Sequence, residues 1–345
     1  MSKNYRIIGH ADKMSYESWC AIRLKSIGGS EVASVLEMNP FCSKFELWAR
    51  KTQHLTSKVE QNEAMYWGNR LQSIIADEFE KRHKEEGFKV IETKAIFAHK
   101  DLDFLTANID GYVDCGNGEF AVLEIKTTSA WNADSFNDSL PGNLGKISPN
   151  YFIQCMYYMM LLNGFDGKTT HGSIRKCYLA CLVGGQTYKE FCIEYDEEVA
   201  RVIFYKACEF WKMVQENRAP EVCAKDNAIL GQVYNQSSDK AIKLGTEFED
   251  ILNQYAQIKE EELRVKNEKD QVEARIKAAI GEAGLASCGK WSISYKTSIR
   301  NTFDSAVAKT LMSEEDVAKC IKQSQSRTLR VSQKKEKAAP KSSKK

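Results

Sequence analysis

Between residues 63 and 84, Trp67, Leu71, Ile74, Ile75 and Phe79 recur at three- and four-residue steps among charged residues. This is the period of a helix with one buried face, and Gly87 is placed to end it. Upstream, Ser43-Lys44-Phe45-Glu46 has capping-box spacing and is followed by Leu47 and Trp48, which predicts a second helix running to about residue 53. Beyond Gly87 the period falls to two. Strands are expected over 89–98, 104–113 and 121–126, with Gly116-Asn117-Gly118 turning the hairpin. A loop rich in Asn, Ser, Gly and Pro follows over 132–150, then an apolar helix over 151–162, strands over 175–183 and 188–195, and a helix over 197–216. The order implies a mixed α/β core, a central mixed β-sheet flanked by helices, complete by about Pro220.

The pattern then changes. Leu244, Phe248, Ile251, Tyr255, Ile258, Val265, Val272 and Ile276 keep alternating three- and four-residue steps, interrupted only by Glu262 and Lys269. Such a heptad-like helix needs a partner: another chain, a docked protein, or, most simply, the residues after Gly284 folding back on it. Trp291, Ile293 and Tyr295 alternate as a strand, and Ser313-Glu314-Glu315-Asp316 opens a short helix. From Lys322 to Lys345 nine Lys/Arg face the single Glu336, the composition of a disordered basic tail. The expected organisation is a core domain over 1–222, a helical and small β region over 223–321, and the tail over 322–345.

A length of 345 residues exceeds the usual single domain, in keeping with that division. No apolar run approaches the roughly 20 residues needed to cross a bilayer, and the first residues lack a secretory pattern. A soluble cytoplasmic protein is expected, with no membrane partner. Eleven cysteines stand far apart, and the closest pair, Cys177 and Cys181, has no second pair to build a zinc site, so reduced and mostly buried thiols are expected. The net charge of +2 neither requires nor excludes nucleic acid.

The candidate chemistry lies in Asn108-Ile109-Asp110-Gly111 and, one hairpin later, Leu123-Glu124-Ile125-Lys126-Thr127. Alternation along a strand puts Glu124 and Lys126 on one face and Leu123 and Ile125 on the other. Asp110 on the preceding strand can reach the same point. Two carboxylates and the Ile125 carbonyl would then suit Mg²⁺, with Mn²⁺ able to substitute. Lys126 would orient or deprotonate an attacking water. Alone, such a triplet is as well read as a solvated sheet face. Its position mid-sheet between apolar helices, where unpaired charge is costly, favours a purpose.

With four further segments the triplet resembles the YqaJ family of phage recombinase nucleases, relatives of lambda exonuclease in the PD-(D/E)XK superfamily. These are Trp19 and Arg23 with Ile27-Gly28-Gly29-Ser30-Glu31; Asn39-Pro40-Phe41 leading to Glu46-Leu47-Trp48; Trp67-Gly68-Asn69; and Tyr151, Gln154, Tyr157 and Tyr158. The resemblance covers roughly residues 15–215. It implies a restriction-endonuclease-like core in which Asp110 and Glu124 hold metal and Lys126 is catalytic. Gln154 and Tyr157 would lie on the helix lining the site, Gln154 with the catalytic set and Tyr157, together with Gln72, Arg23 and Ser30, among the DNA contacts, where Arg23 and Ser30 would hold a phosphate. Gln72 stands where the family usually has a metal-binding glutamate, so a second ion would bind more weakly. The implied activity is a 5′-to-3′ exonuclease on double-stranded DNA ends, leaving 3′ single strands for an annealing protein, within a homo-oligomer such as a trimeric ring. The alternatives are a structure-specific or nicking endonuclease, and a DNA-binding scaffold with an impaired core. No phosphate-cradling G-x-x-x-x-G-K-[ST] loop is present for ATP-driven translocation.

Overall fold

The computed structural model describes residues 4–55, 62–130, 147–302, 304–322 and 329–331. The chain divides into two compact units, Met1–Tyr234 and Asn235–Lys345.

The first unit opens with β1 (Tyr5–His10), α1 (Tyr16–Leu24), α2 (Gly29–Val35), α3 (Lys44–Lys51) and α4 (Glu63–Arg82). Next come β2 (Lys89–Glu92), β3 (Ala95–His99), β4 (Thr106–Ala107), β5 (Gly111–Asp114) and β6 (Phe120–Thr128). It ends with α5 (Pro149–Leu162), β7 (Lys176–Val183), β8 (Thr187–Glu194), α6 (Glu197–Gln215) and α7 (Asn227–Val233). Five strands form a sheet in the order β2-β5-β6-β7-β8, in which only β6 and β7 are parallel. This is the expected mixed sheet. Its parallel step requires a crossover, which α5 provides.

Alternation along β6 sends Leu123 and Ile125 to one face, where they pack with Ile75, Ala76 and Phe79 of α4. Val122 and the β7 residues Cys177 and Leu179 turn to the other face, packed against α5 and α6. Glu124 therefore emerges among apolar groups and is buried. The α5 sequence is apolar all round because the helix is enclosed on every side, every residue from Ile153 to Leu162 being buried. Ser43 caps α3 as its spacing predicts, accepting from the Glu46 N–H at 2.9 Å.

Four expectations are corrected. Trp67 and Ile74 are exposed, and α4 buries Ile75, Ala76 and Phe79, a narrower stripe than expected. The strands expected over 89–98 and 104–113 are each cut in two. β2 and β5 belong to the main sheet, whereas β3 and β4 pair with the unanticipated β1 in a second, three-stranded sheet. The chain switches sheets at Thr93, whose N–H donates to the Asp110 carbonyl at 3.3 Å. All eleven cysteines are free, but only Cys155, Cys177 and Cys181 are buried.

Residues 223–234, placed above with the C-terminal region, pack on the first unit through Ile229, Leu230 and Val233. The buried Asp226 accepts from the Ser43 hydroxyl and, at 2.7 Å, from the Cys223 N–H.

The second unit holds α8 (Glu247–Ile280), the hairpin β9 (Leu285–Cys288) and β10 (Trp291–Ser294), α9 (Ser305–Leu311) and α10 (Glu314–Cys320). The expected fold-back onto α8 is confined to its ends. Lys277 lies 6.0 Å from the Tyr295 ring, and Leu329, Arg330 and Val331 line a recess with Glu249, Leu252 and Ala256. No residue of α8 is buried. Most of the expected loop over 132–150 and of the tail lies outside the described residues. No helix among the described residues is long and apolar enough to cross a membrane.

Candidate active site

The hairpin register sets the centre of the site. Gly111 stands opposite Leu123, so Asp110, just before β5, falls beside the Glu124-Ile125 peptide. The Asp110 Oδ2 accepts from the Ile125 N–H at 2.7 Å. This bond holds the carboxylate against β6 at the point where the chain leaves the second sheet. Glu124 and Lys126 share a face, and Lys126 Nζ lies 2.5 Å from Glu124 Oε1. Gln154 of α5 reaches the same oxygen, its Nε2 donating at 2.6 Å, and also touches the Tyr158 hydroxyl at 2.8 Å. The other carboxylate oxygen, Glu124 Oε2, is buried with no hydrogen-bond partner.

The electrostatics follow from this crowding. Burial, aided by the neighbouring Asp110 charge, pushes the Glu124 carboxyl up to about 8, although Lys126 opposes it. Burial likewise raises Asp110, against the pull of Lys126 and the Ile125 N–H. Burial alone would lower Lys126, but the two carboxylates outweigh it and hold the lysine above its usual value. The two carboxylates thus keep Lys126 in its charged form. Its Nζ also lies 5.5 Å from the Tyr151 ring.

Two buried carboxyls, a buried oxygen without a partner and hard oxygen donors suit a divalent cation. Among the described residues no three His, Cys, Asp or Glu side chains converge, so protein carboxylates alone would leave such a shell incomplete. Gln72 does not join Asp110 directly. Its Oε1 accepts from Lys94 Nζ at 3.1 Å, and the Lys94 charge in turn lowers Asp110. Lys94 had no sequence signal, because it follows the sheet switch hidden inside an apparently continuous strand.

Arg23 and Ser30 are brought together, Arg23 Nη2 lying 3.3 Å from Ser30 Oγ. The guanidinium also pairs with Glu31 at 2.9 Å and lies 5.0 Å from the Trp19 ring. Glu31 is the hub: both its oxygens lie 2.9 Å from Lys51 Nζ, and Oε2 accepts from the Gly28 N–H at 2.9 Å. Sharing one carboxylate between two cations holds Glu31 below its usual range in spite of burial, and raises Arg23. Burial lowers Lys51, and Glu31 only partly restores it. Glu31 and Lys51 are twenty residues apart, on different helices, and no local pattern pairs them.

A close approach joins this network to the site. A Cβ on Gly29 would stand 2.2 Å from a Tyr158 ring carbon, so only glycine lets α2 rest on the tyrosine that touches Gln154. Tyr157, grouped above with DNA contacts, is instead fully buried. Its hydroxyl donates to the Ile27 carbonyl at 2.7 Å, which fixes the turn before α2 from inside.

A family model described as YqaJ-like viral recombinase domain matches residues 18–169. The uncharacterized protein YqaJ of Bacillus subtilis (strain 168) is 31% identical over 307 residues, covering 88% of this chain and 90% of that protein. Among solved structures, an alkaline exonuclease (LHK-Exo) from Laribacter hongkongensis is 22% identical, with a TM-score of 0.42, over 59% of this chain and 94% of its own. A phage related exonuclease from Haemophilus somnus 129PT is 12% identical, with a TM-score of 0.38, over 56% of this chain and 94% of its own.

Proposed function

This chain belongs to the YqaJ-like viral recombinase family, and we propose that it is a metal-dependent deoxyribonuclease, an exonuclease that degrades double-stranded DNA from its 5′ ends. The observation that carries the reading is the buried Glu124 Oε2 without a partner, beside Asp110 and the charged Lys126. An oxygen so placed costs folding free energy unless a cation, or a proton shared with the neighbouring Asp110 carboxyl, uses it.

The Asp110 and Glu124 carboxylates and the Ile125 carbonyl would hold Mg²⁺ or Mn²⁺. Bound there, the ion supplies Lewis-acid polarisation of the scissile phosphate and acidifies the attacking water. Gln154 and Lys126 both occupy Glu124 Oε1 and so leave Oε2 as the oxygen that would be available to the ion. Lys126, retained as a cation by its two carboxylates, orients the water and offsets the charge that grows on the phosphate. Arg23 and Ser30 present a guanidinium and a hydroxyl to a DNA phosphate near the cut, held in place by Glu31 and Trp19. Family membership supports a role in phage-type recombination, with the 3′ single strand passed to an annealing protein and a closed ring of subunits retaining the DNA.

The test incubates the full chain and Mg²⁺ with linear duplex labelled at the 5′ or the 3′ end, a covalently closed circle, and a Lys126→Ala control. Progressive loss from the 5′ end that spares the circle and stops in the control is expected. Cutting of the circle would instead assign a nicking endonuclease, and duplex binding without any metal-dependent product would assign a scaffold.

A further inference from the structure

The second unit carries a surface that the nuclease reading does not use. Along α8, Phe248, Ile251, Ile258, Val265, Val272 and Ile276 are each between 38% and 56% exposed, on one seam of a 34-residue helix. At 1.5 Å per residue the seam is about 50 Å long. Leu329, Arg330 and Val331 line a recess on its flank and leave it open.

Charge selects the occupant. From Glu247 to Glu262 six acidic residues face Lys259 alone, whereas from Leu263 to Ile280 five basic residues outnumber three acidic ones. A second copy laid parallel would set acidic half on acidic half and stack Glu262 on Glu262 and Lys269 on Lys269 within the seam. Laid antiparallel, the acidic half of each copy meets the basic half of the other.

The helix's own ends give the register. When α8 overlaps its whole length antiparallel, Ile251 comes opposite Ile276, Tyr255 opposite Val272, Ile258 opposite Lys269, and Glu262 opposite Val265. Every seam position meets a seam position, the layer geometry that an antiparallel coiled coil requires. Glu262 and Lys269 of opposite copies then fall in neighbouring layers, twice over by two-fold symmetry. Among the described residues of one chain Glu262 pairs with Lys259 and Lys269 with Glu273, both solvent-exposed contacts that are readily exchanged.

We propose that α8 is a self-association element, the seam of one chain closing antiparallel on the seam of a second copy. Two helices of this length bury an area of the order of the ~1,600 Å² typical of stable interfaces. The contact pairs chains independently of any ring made by the first unit, and does not depend on the nuclease reading.

Sedimentation equilibrium of the full chain tests this, with circular dichroism confirming that each variant keeps its helix. The wild type should associate with concentration, and Ile251→Glu/Val272→Glu, which sets carboxylates of opposite copies in neighbouring layers, should lose the part of that association that α8 provides, down to the assembly that the first unit makes. Glu262→Lys alone, placing lysine beside Lys269 of the second copy, should weaken the α8 association about tenfold. Adding Lys269→Glu to the same chain should restore it. Three outcomes would overturn the proposal: a monomer throughout the micromolar range, association unchanged by Ile251→Glu/Val272→Glu, or Glu262→Lys associating like the wild type, as a parallel pair predicts.

Discussion

Glu31→Gln removes one charge from a carboxylate that serves two cations and the start of a helix. Glutamine keeps the size and can still accept from the Gly28 N–H, so the loss falls on the ion pairs. Arg23, with a side chain 33% exposed, can regain water; Lys51, at 3%, cannot. What remains for Lys51 is the Arg23 carbonyl at 2.6 Å. Leaving a buried cation without its counter-charge costs about 3–5 kcal/mol, and re-solvation of Arg23 argues for the lower end, about 3 kcal/mol. With a urea dependence of about 3 kcal/mol per molar for a unit of this size, the unfolding midpoint should fall by about 1 M. Removing the stranded cation as well, in Glu31→Gln/Lys51→Met, should recover more than half of the loss, because an apolar chain replaces an unpaired charge. Denaturation followed by tryptophan fluorescence reads both numbers. A single variant costing under about 1 kcal/mol, or a double variant no more stable than the single, would refute the reasoning, since either means that Lys51 finds water in the fold.

The remaining predictions concern the site and its supports. Lys126→Met should lower metal-dependent cleavage about 10²- to 10⁴-fold while leaving duplex affinity within about threefold, measured by single-turnover digestion and filter binding. Mn²⁺ at about 100 times its dissociation constant should stabilise the wild type by about 2.7 kcal/mol in thermal unfolding, and Glu124→Gln should abolish most of that gain. Gly29→Ala should cost about 1–3 kcal/mol, because α2 must move off the Tyr158 ring; an unchanged melting temperature would refute the close approach. His99 is buried, donates from Nε2 to the Phe165 carbonyl and accepts the Asp101 N–H at Nδ1, so it is held neutral and its pKa is lowered by burial. Below its usual value near 6.5 the unfolded chain binds the extra proton and the folded chain resists it. Stability should therefore be full above about pH 6.5 and fall as the pH drops, a slope that His99→Gln should flatten in chemical denaturation at pH 5 and pH 7.

What the sequence made legible was whatever a single element carries. The Asp110, Glu124 and Lys126 set was visible because alternation on one strand puts two of the three on one face and the hairpin supplies the third. The heptad of α8 was visible for the same reason, whereas the occupant of its seam depends on how charge is divided between the two halves of the helix. Neighbours on one helix show the limit. Gln154 and Tyr158, four residues apart, face the site, while Tyr157, one position round, faces the core and ties down Ile27. Which of these aromatics was functional depended on where α5 lay against the sheet, and period alone could not say.

The sheet switch was hidden for a different reason. Residues 89–98 alternate well enough for one strand, and only the pairing of β3 with β1 rather than with the main sheet bends the chain at Thr93. That bend brings Lys94 to Gln72 and puts its charge beside Asp110. A glutamate at position 72 would face a lysine already close enough to pair with it. Glutamine accepts from the same lysine without adding a third carboxylate to two that burial already raises. The amide is thus physically consistent with its surroundings, and Lys94 itself supplies part of the positive charge that opposes the effect of burial on Asp110.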